Sequence, residues 1–299
     1  MPLFDRYLIV DWSAASAPVR GANSLWACLA ERHGQGARLL WLENFPTRAQ
    51  FMSRLLAVID EVMGAGKRLL AGFDFAFGYP AGAALRLAGR ADWRKLWHKI
   101  ATEVQDLPDN SNNRFELASR WNATHFSGEP RFWGRPHQHR YADLGDKKPP
   151  APTTQPFAFR RSESFAKGAK SVWQMSYNGS VGGQTLLGIA RLSRFLDESG
   201  HGERISVWPF QTGFAERFEK PVVFAEIYPS LFPLTEGHAV RDAAQVATVA
   251  KIFARYDGND RLARLFAPPP MLGEEERAIA IAEEGWVLGI GHEKLECAA

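Results

Sequence analysis

The chain has 299 residues, of which 45% are apolar and 23% charged, and its formal net charge is +3. This length suits one large domain or two small ones, and so small a positive charge permits contact with nucleic acid without requiring it. Its two cysteines, Cys28 and Cys297, match no metal-ligand spacing, and no apolar run approaches the roughly 18 residues of a membrane-spanning helix. The N-terminal residues lack the apolar series of a signal peptide, so we expect a cytoplasmic protein without a membrane span.

The first 73 residues predict the order β-β-β-α-β. Apolar runs at 7–11, 24–30 and 38–43 are typical of strands, and a turn centred on Gly34 and Gly36 separates the last two. Thr47 is a suitable N-cap for the next segment, in which apolar residues recur at helical spacing until Gly64. A fourth strand follows at 69–73.

The rest of the chain predicts a single elaborated α/β domain spanning residues 1–299, with an insertion at about 106–160. Helices are expected at 91–105, 112–123, 184–198, 239–256 and 274–284, and strands at 205–208 and 221–227. The stretch 127–161 is rich in proline, basic and aromatic residues without period, which indicates a long loop. Within it His137 and His139 would need further ligands to bind zinc.

Four acids stand at positions where an ordinary core would not place them. Asp11, Asp74 and Glu226 each follow a strand-like apolar run, and Asp242 begins a predicted helix. Burying an unpaired carboxylate costs on the order of several kcal/mol, so a compensating cation or hydrogen bonds are expected. Sites in open α/β sheets form beyond the carboxyl ends of the strands, and carboxylate oxygens suit Mg²⁺ or Mn²⁺.

Three of these acids also have an ordinary explanation. Asp11 could cap a turn, Asp242 could complement a helix dipole, and Glu226 could pair with an arginine. Their joint occurrence around a β-β-β-α-β order favours a shared metal site.

The ordered set of motifs resembles a known family. The segments are "IVDWSAAS", "GFDFAFGYP", "RRSES", "KSVWQMSYNGSVGGQTLLGI", "VWPF", "FAEIYPSLFP", "RDAAQVATVA" and "EEGWVLGIG". The chain is similar to the predicted-nuclease family catalogued as domain of unknown function 429. This resemblance implies a ribonuclease H-like fold, a mixed β-sheet with helices on both faces and an inserted loop or helical region.

The resemblance also implies roles for individual residues. Asp11, Asp74, Glu226 and Asp242 would be catalytic, and Asp11, Asp74 and Asp242 would hold one or two divalent cations, Mg²⁺ or Mn²⁺. The family commonly has a second Asp three residues after the one matched by Asp242, where this chain has Gln245. An amide offers an oxygen ligand but no negative charge, so one metal ion or two remain open.

Several residues are candidates for binding substrate. Arg160, Arg161 and Lys170 could hold phosphates, with Ser13 as a further polar group, and Glu163 is either another site residue or the partner of the arginines. The turn at 178–183 could bind an anion through its backbone or be a plain turn. The 127–161 stretch could stack bases along a phosphate backbone or form a lid packed on its own aromatic residues.

These observations predict a divalent-metal-dependent nuclease or phosphodiesterase with a nucleic acid or nucleotide as its partner. Two alternatives stay open. One is a phosphotransferase related to the sugar kinases and actin-like ATPases, although "DWSAAS" lacks their phosphate-binding glycines. The other is a non-catalytic nucleotide-binding or nucleic-acid-binding protein of the same fold.

Overall fold

A computed structural model describes residues 2–166, 168–177 and 179–292, and these form an α/β fold around one six-stranded mixed sheet. The strands are β1 (Arg6–Asp11), β2 (Leu25–His33), β3 (Gly36–Phe45), β4 (Leu69–Phe73), β5 (Ile205–Val207) and β6 (Val222–Glu226). Their order across the sheet is β3-β2-β1-β4-β6-β5. The first three strands form an antiparallel meander, whereas β1, β4, β6 and β5 run parallel to one another.

The helices connect and cover these strands. They are α1 (Arg48–Gly64), α2 (Ala83–Ala88), α3 (Trp93–Glu103), α4 (Arg114–His125), α5 (Arg161–Phe165), α6 (Gly182–Glu198), α7 (Arg241–Gly258), α8 (Ala263–Phe266) and α9 (Glu274–Ile279). A π-helical turn, Ala280–Glu284, continues α9. The β-β-β-α-β order is confirmed, and the side chain of Thr47 caps α1 by accepting a hydrogen bond from the Gln50 amide.

Side chains alternate along β1 between two hydrophobic cores, one on each face of the sheet. Leu8 and Val10 belong to the core that contains residues of α1, α3 and α6, and Tyr7 and Ile9 belong to the core that contains residues of α7. A central strand buried on both faces is therefore almost wholly apolar. The carboxylate of Asp11 comes only at its last position.

Helix α6 approaches the sheet closely through a glycine. A methyl group at Gly188 would lie only 2.4 Å from the ring of Phe75, the residue after Asp74. This contact brings the start of α6 towards the chain segment that follows β4.

The 127–160 stretch forms no helix or extended strand, but it is packed against the rest of the protein. Phe132 is fully buried, with its ring centroid 4.9 Å from that of Trp173. The side chain of Asn122 accepts hydrogen bonds from the Arg131 and Phe132 amides and donates to the Phe132 and Asp143 carbonyls. Buried aromatic rings and the side-chain amide of Asn122 thus hold an irregular segment in place.

Among the described helices, none is both long and apolar enough to cross a membrane.

Candidate active site

Two carboxylates lie at the ends of neighbouring parallel strands. Asp11 is the last residue of β1, and Asp74 directly follows β4, where its amide donates to the Val10 carbonyl. The pKa of each carboxyl group depends on the other, so the two groups lie close together. The Trp12 amide also donates to Asp74 Oδ1 at 2.6 Å. The adjacency of β1 and β4 therefore brings together two acids separated by 63 positions in the chain.

Both carboxyl groups resist ionisation. Burial is the largest cause that raises the pKa of Asp11 well above its ordinary value, followed by the negative charges of Asp74 and Asp242. Burial raises the pKa of Asp74 to about 7, and the charge of Asp242 adds to this, although hydrogen bonds from Trp12 and Asp11 oppose it. Because neighbouring carboxylates repel each other and both pKa values are raised, the pair retains a proton that ordinary aspartates would have lost.

Asp242 completes a group of three acids around the same cleft. It is the second residue of α7, and its Oδ2 accepts a hydrogen bond of 3.0 Å from the Asn23 amide. Asp242 is close enough for its charge to raise the pKa of the other two acids. Within the described ranges, no Lys, Arg or His forms an ion pair with any of the three acids.

The cleft has a volume of about 590 Å³. Besides the three acids, its lining includes Ser13 and Gln245, so these two predicted residues lie beside them. The wall contains polar and aromatic groups from the chain before α6 and from α6 itself, namely Lys170, Tyr177, Gly179, Ser180 and Gln184. Gln184 reaches from α6 to donate to the Trp12 carbonyl at 2.6 Å, which joins this wall to the chain after β1.

Glu226 was predicted to be catalytic and Arg160 to hold substrate phosphate, and in the structure these two side chains bind each other. Arg160 is buried and binds both carboxylate oxygens of Glu226, at 2.6 and 2.8 Å. The Phe77 amide donates to the same carboxylate at 2.9 Å. Both residues reach the cleft lining, but the guanidinium neutralises Glu226, and every side-chain nitrogen of Arg160 donates to a carboxylate. They form a buried ion pair.

The other three substrate-binding candidates have different surroundings. Glu163 accepts hydrogen bonds from the amide and Nε of Arg160, so it is the partner of that arginine. Burial raises the pKa of Glu163 to about 7 despite this cation. Arg161 is not among the lining residues, and it pairs with Glu276 instead. Lys170 is exposed and lines the cleft, as a phosphate-binding residue would.

A buried arginine that no sequence motif indicated holds the loop after β1. Arg48, the first residue of α1, donates from Nη1 to the carbonyls of Ser13 and Ala15 at 2.9 and 2.8 Å. Its other two nitrogens bind the buried carboxylate of Asp106. The loop that follows Asp11 is thus held in place by the first residue of α1.

The sequence analysis also missed three other residues that line the cleft, Asn23, Tyr177 and Gln184. Only the first two lie in sequence patterns that indicate a turn. Asn23 has a left-handed backbone, φ +57°, and it belongs to the small polar residues typical of turns. Tyr177 precedes an Asn-Gly pair, which likewise indicates a turn. Gln184 carries no such signal, because a glutamine near the start of a helix is ordinary.

The carboxylate oxygens of the cleft are ligands that suit a hard cation, but they are few. Among the described residues, no group of three or more Asp, Glu, His or Cys side chains is placed to hold a metal ion. Asp11 and Asp74 nevertheless form an oxygen-only pair without a cationic side chain. Mg²⁺ commonly binds through one or two carboxylates and keeps several waters, so such a pair fits it. The His137 ring lies 5.2 Å from that of Tyr177, tilted by 48°, and no described residues join it in a zinc-ligand group.

Comparisons with protein-family models, with curated proteins and with solved structures find no match to this chain. The resemblance drawn from the sequence motifs therefore stays a prediction, and the site is interpreted from its own geometry.

Proposed function

We propose that this protein is a divalent-metal-dependent phosphodiester hydrolase that acts on a nucleic acid or nucleotide. The observation that carries the proposal is the meeting of Asp11, Asp74 and Asp242 in one cleft without a cationic partner among the described residues. Carboxyl groups this close are normally neutralised by a proton or a cation. A site that accepts a metal ion in place of the shared proton explains why the fold tolerates them.

The strand order supports a ribonuclease H-like fold. An antiparallel meander of three strands is followed by a helix and then by β4, which pairs in parallel with β1. This arrangement puts the first acid and the acid after β4 side by side, as the proposed chemistry requires. Strands β6 and β5 extend the sheet beyond β4.

Asp11 and Asp74 are the residues that would hold the ion, with Asp242 next to them. A bound Mg²⁺ or Mn²⁺ supplies an acidified water and neutralises charge on a phosphate. The protein's own contribution begins with the two carboxylates, which release their shared proton when they bind a cation. Lys170 is the exposed ammonium in the cleft that can attract the phosphate.

The experiment combines metal binding with turnover. We expect calorimetry to detect Mn²⁺ binding to the wild-type protein and to lose it in Asp11→Asn and Asp74→Asn, because each removes one of two charged ligands. A panel of single-stranded, duplex and branched DNA and RNA, together with dinucleotides, should reveal Mg²⁺-dependent cleavage. We expect both variants to lower cleavage about 100-fold or more.

Asp197→Asn is the matched control, since Asp197 is an exposed aspartate that pairs with Arg94 away from the cleft. It should bind Mn²⁺ and cleave like the wild-type protein. Unchanged Mn²⁺ affinity in both site variants would refute the metal site. Binding of the panel without any turnover would instead indicate a non-catalytic binding protein.

A further inference from the structure

Tyr177 is an exposed aromatic residue inside the cleft. It is 38% exposed, whereas the acids Asp11, Asp74 and Asp242 in the same cleft are half-buried. A large ring left open to solvent in a concave site contributes little to the core. Aromatic rings in such positions commonly serve ligands that have a flat face.

The ring of Tyr177 is held in place before any ligand binds. Its hydroxyl donates to the Arg135 carbonyl at 2.7 Å, and the His137 ring lies 5.2 Å away. Its backbone φ is +76°, a left-handed conformation that disfavours a bulky side chain. Such conformations persist where the surroundings enforce them, and they concentrate at functional sites. The ring is thus fixed at the cost of backbone strain.

A cation lies in the same wall of the cleft. The carbon chain of Lys170 passes beside Gly179, where an added methyl group would lie 3.3 Å from Cε. In the part of the chain that the structure describes, Lys170 forms no ion pair. The wall therefore offers an aromatic face for a base and an ammonium for a phosphate, which together match a nucleotide unit.

We propose that Tyr177 stacks on a nucleobase of the substrate and so restricts the cleft to nucleotide-containing phosphodiesters, single-stranded nucleic acid above all. This deepens the proposed function and rests on it for the reaction. The stacking itself requires neither metal nor turnover. A base must be unpaired to present its face to a ring, so a single strand is the form that this wall accepts.

The test measures binding of a fluorescent single-stranded oligonucleotide by anisotropy, in EDTA, with full-length protein carrying Asp11→Asn. In that background, Tyr177→Gly should weaken binding roughly 5- to 150-fold, the range expected for loss of one stacked base. Glycine suits the left-handed backbone, so this variant should fold at least as well as its parent. Tyr177→Phe keeps the ring and should bind within about twofold of the parent.

Phe157→Ala is the matched control, because Phe157 is 49% exposed but is not among the lining residues. It should bind like the parent. The same oligonucleotide with abasic sites throughout should bind the parent as weakly as the intact strand binds Tyr177→Gly.

Three results would overturn the proposal. They are no binding by the parent, equal binding by the parent and Tyr177→Gly, or equal binding of the intact and abasic strands. The hydrolytic function has a separate readout, Mg²⁺-dependent hydrolysis of bis(p-nitrophenyl) phosphate, which has no nucleobase. Hydrolysis without Tyr177-dependent binding would reject only the stacking, and the reverse result would reject only the hydrolase.

Discussion

At the scale of single residues, Asp74 and Glu226 look alike in the sequence but have opposite surroundings. Each follows an apolar run that forms a strand, and β4 and β6 are neighbours in the sheet. Asp74 meets another carboxyl group, whereas Glu226 meets the guanidinium of Arg160. The motif predicts an acid at the strand end. It does not predict its partner, which comes from a residue 66 positions away.

The buried contacts of Arg160 with Glu163 and Glu226 lead to a prediction about stability. We expect Arg160→Met to lower the free energy of unfolding by about 3–5 kcal/mol, because it leaves Glu226 and Glu163 buried without their cation. Urea denaturation at pH 7 measures this change. Arg161→Met is the control, and its exposed guanidinium should contribute less than about 1 kcal/mol. Equal losses in the two variants would contradict the assignment of Arg160 as the buried partner.

At the scale of elements, the long periodic helices and the strands were predicted well, and three short helices were missed. The expected helix 184–198 is α6, Gly182–Glu198, and the expected strand at 69–73 is β4, Leu69–Phe73. The missed helices α2, α5 and α8 have only four to six residues. One turn or so of helix shows no apolar repeat, and its formation depends on tertiary contacts that a sequence does not display.

The contact between α1 and the loop after β1 gives a prediction about this pair of elements. Arg48→Lys keeps the charge but cannot bind Asp106 through two nitrogens and also reach two carbonyls. We expect it to lower the free energy of unfolding by about 2–4 kcal/mol and to weaken Mn²⁺ binding through the displaced loop. Denaturation and calorimetry measure the two effects.

Arg191→Lys is the matched control for Arg48→Lys. Arg191 also binds Asp106 Oδ2, at 2.6 Å, but its hydrogen bonds reach only Asp106 and Leu107 and not the site loop. It should lose stability and keep its Mn²⁺ affinity. If both variants bound Mn²⁺ equally, whether tightly or weakly, the interpretation of Arg48 as a positioning residue would fail.

At the scale of the whole molecule, the identity of the acids in the cleft could be predicted from the sequence. Their burial and their protonation could not. Asp11, Asp74 and Asp242 come from β1, the end of β4 and the start of α7, and one cleft joins them. A ribonuclease H-like fold with the order β-β-β-α-β implies that β1 and β4 are neighbours, so the meeting of Asp11 and Asp74 could be predicted. The burial of these acids and the proton that they share depend on how the two hydrophobic cores pack on the sheet. A local sequence pattern does not predict this packing.

That shared proton links the stability of the whole chain to pH. The pKa of Asp74 is about 7 in the folded protein, against about 4 for an unfolded aspartate, and that of Asp11 is also raised. A carboxyl group with a raised pKa stabilises the fold while it is protonated. This contribution is complete below about pH 4 and is lost as the pH rises through about 7. Without a divalent cation, the free energy of unfolding should therefore fall between pH 5 and 8 by on the order of a few kcal/mol.

Urea denaturation in EDTA across this pH range measures the decline, and the double variant Asp11→Asn/Asp74→Asn should make it shallower. A residual slope is expected from Glu163, whose pKa is also raised to about 7. Adding Mn²⁺ at 100 times its dissociation constant should restore about 3 kcal/mol at pH 8 to the wild-type protein and nothing to the double variant. Parallel pH profiles for the two proteins would show that Asp11 and Asp74 carry no shared proton. The close approach of these two half-buried acids would then need another explanation than the exchange of a proton for a metal ion.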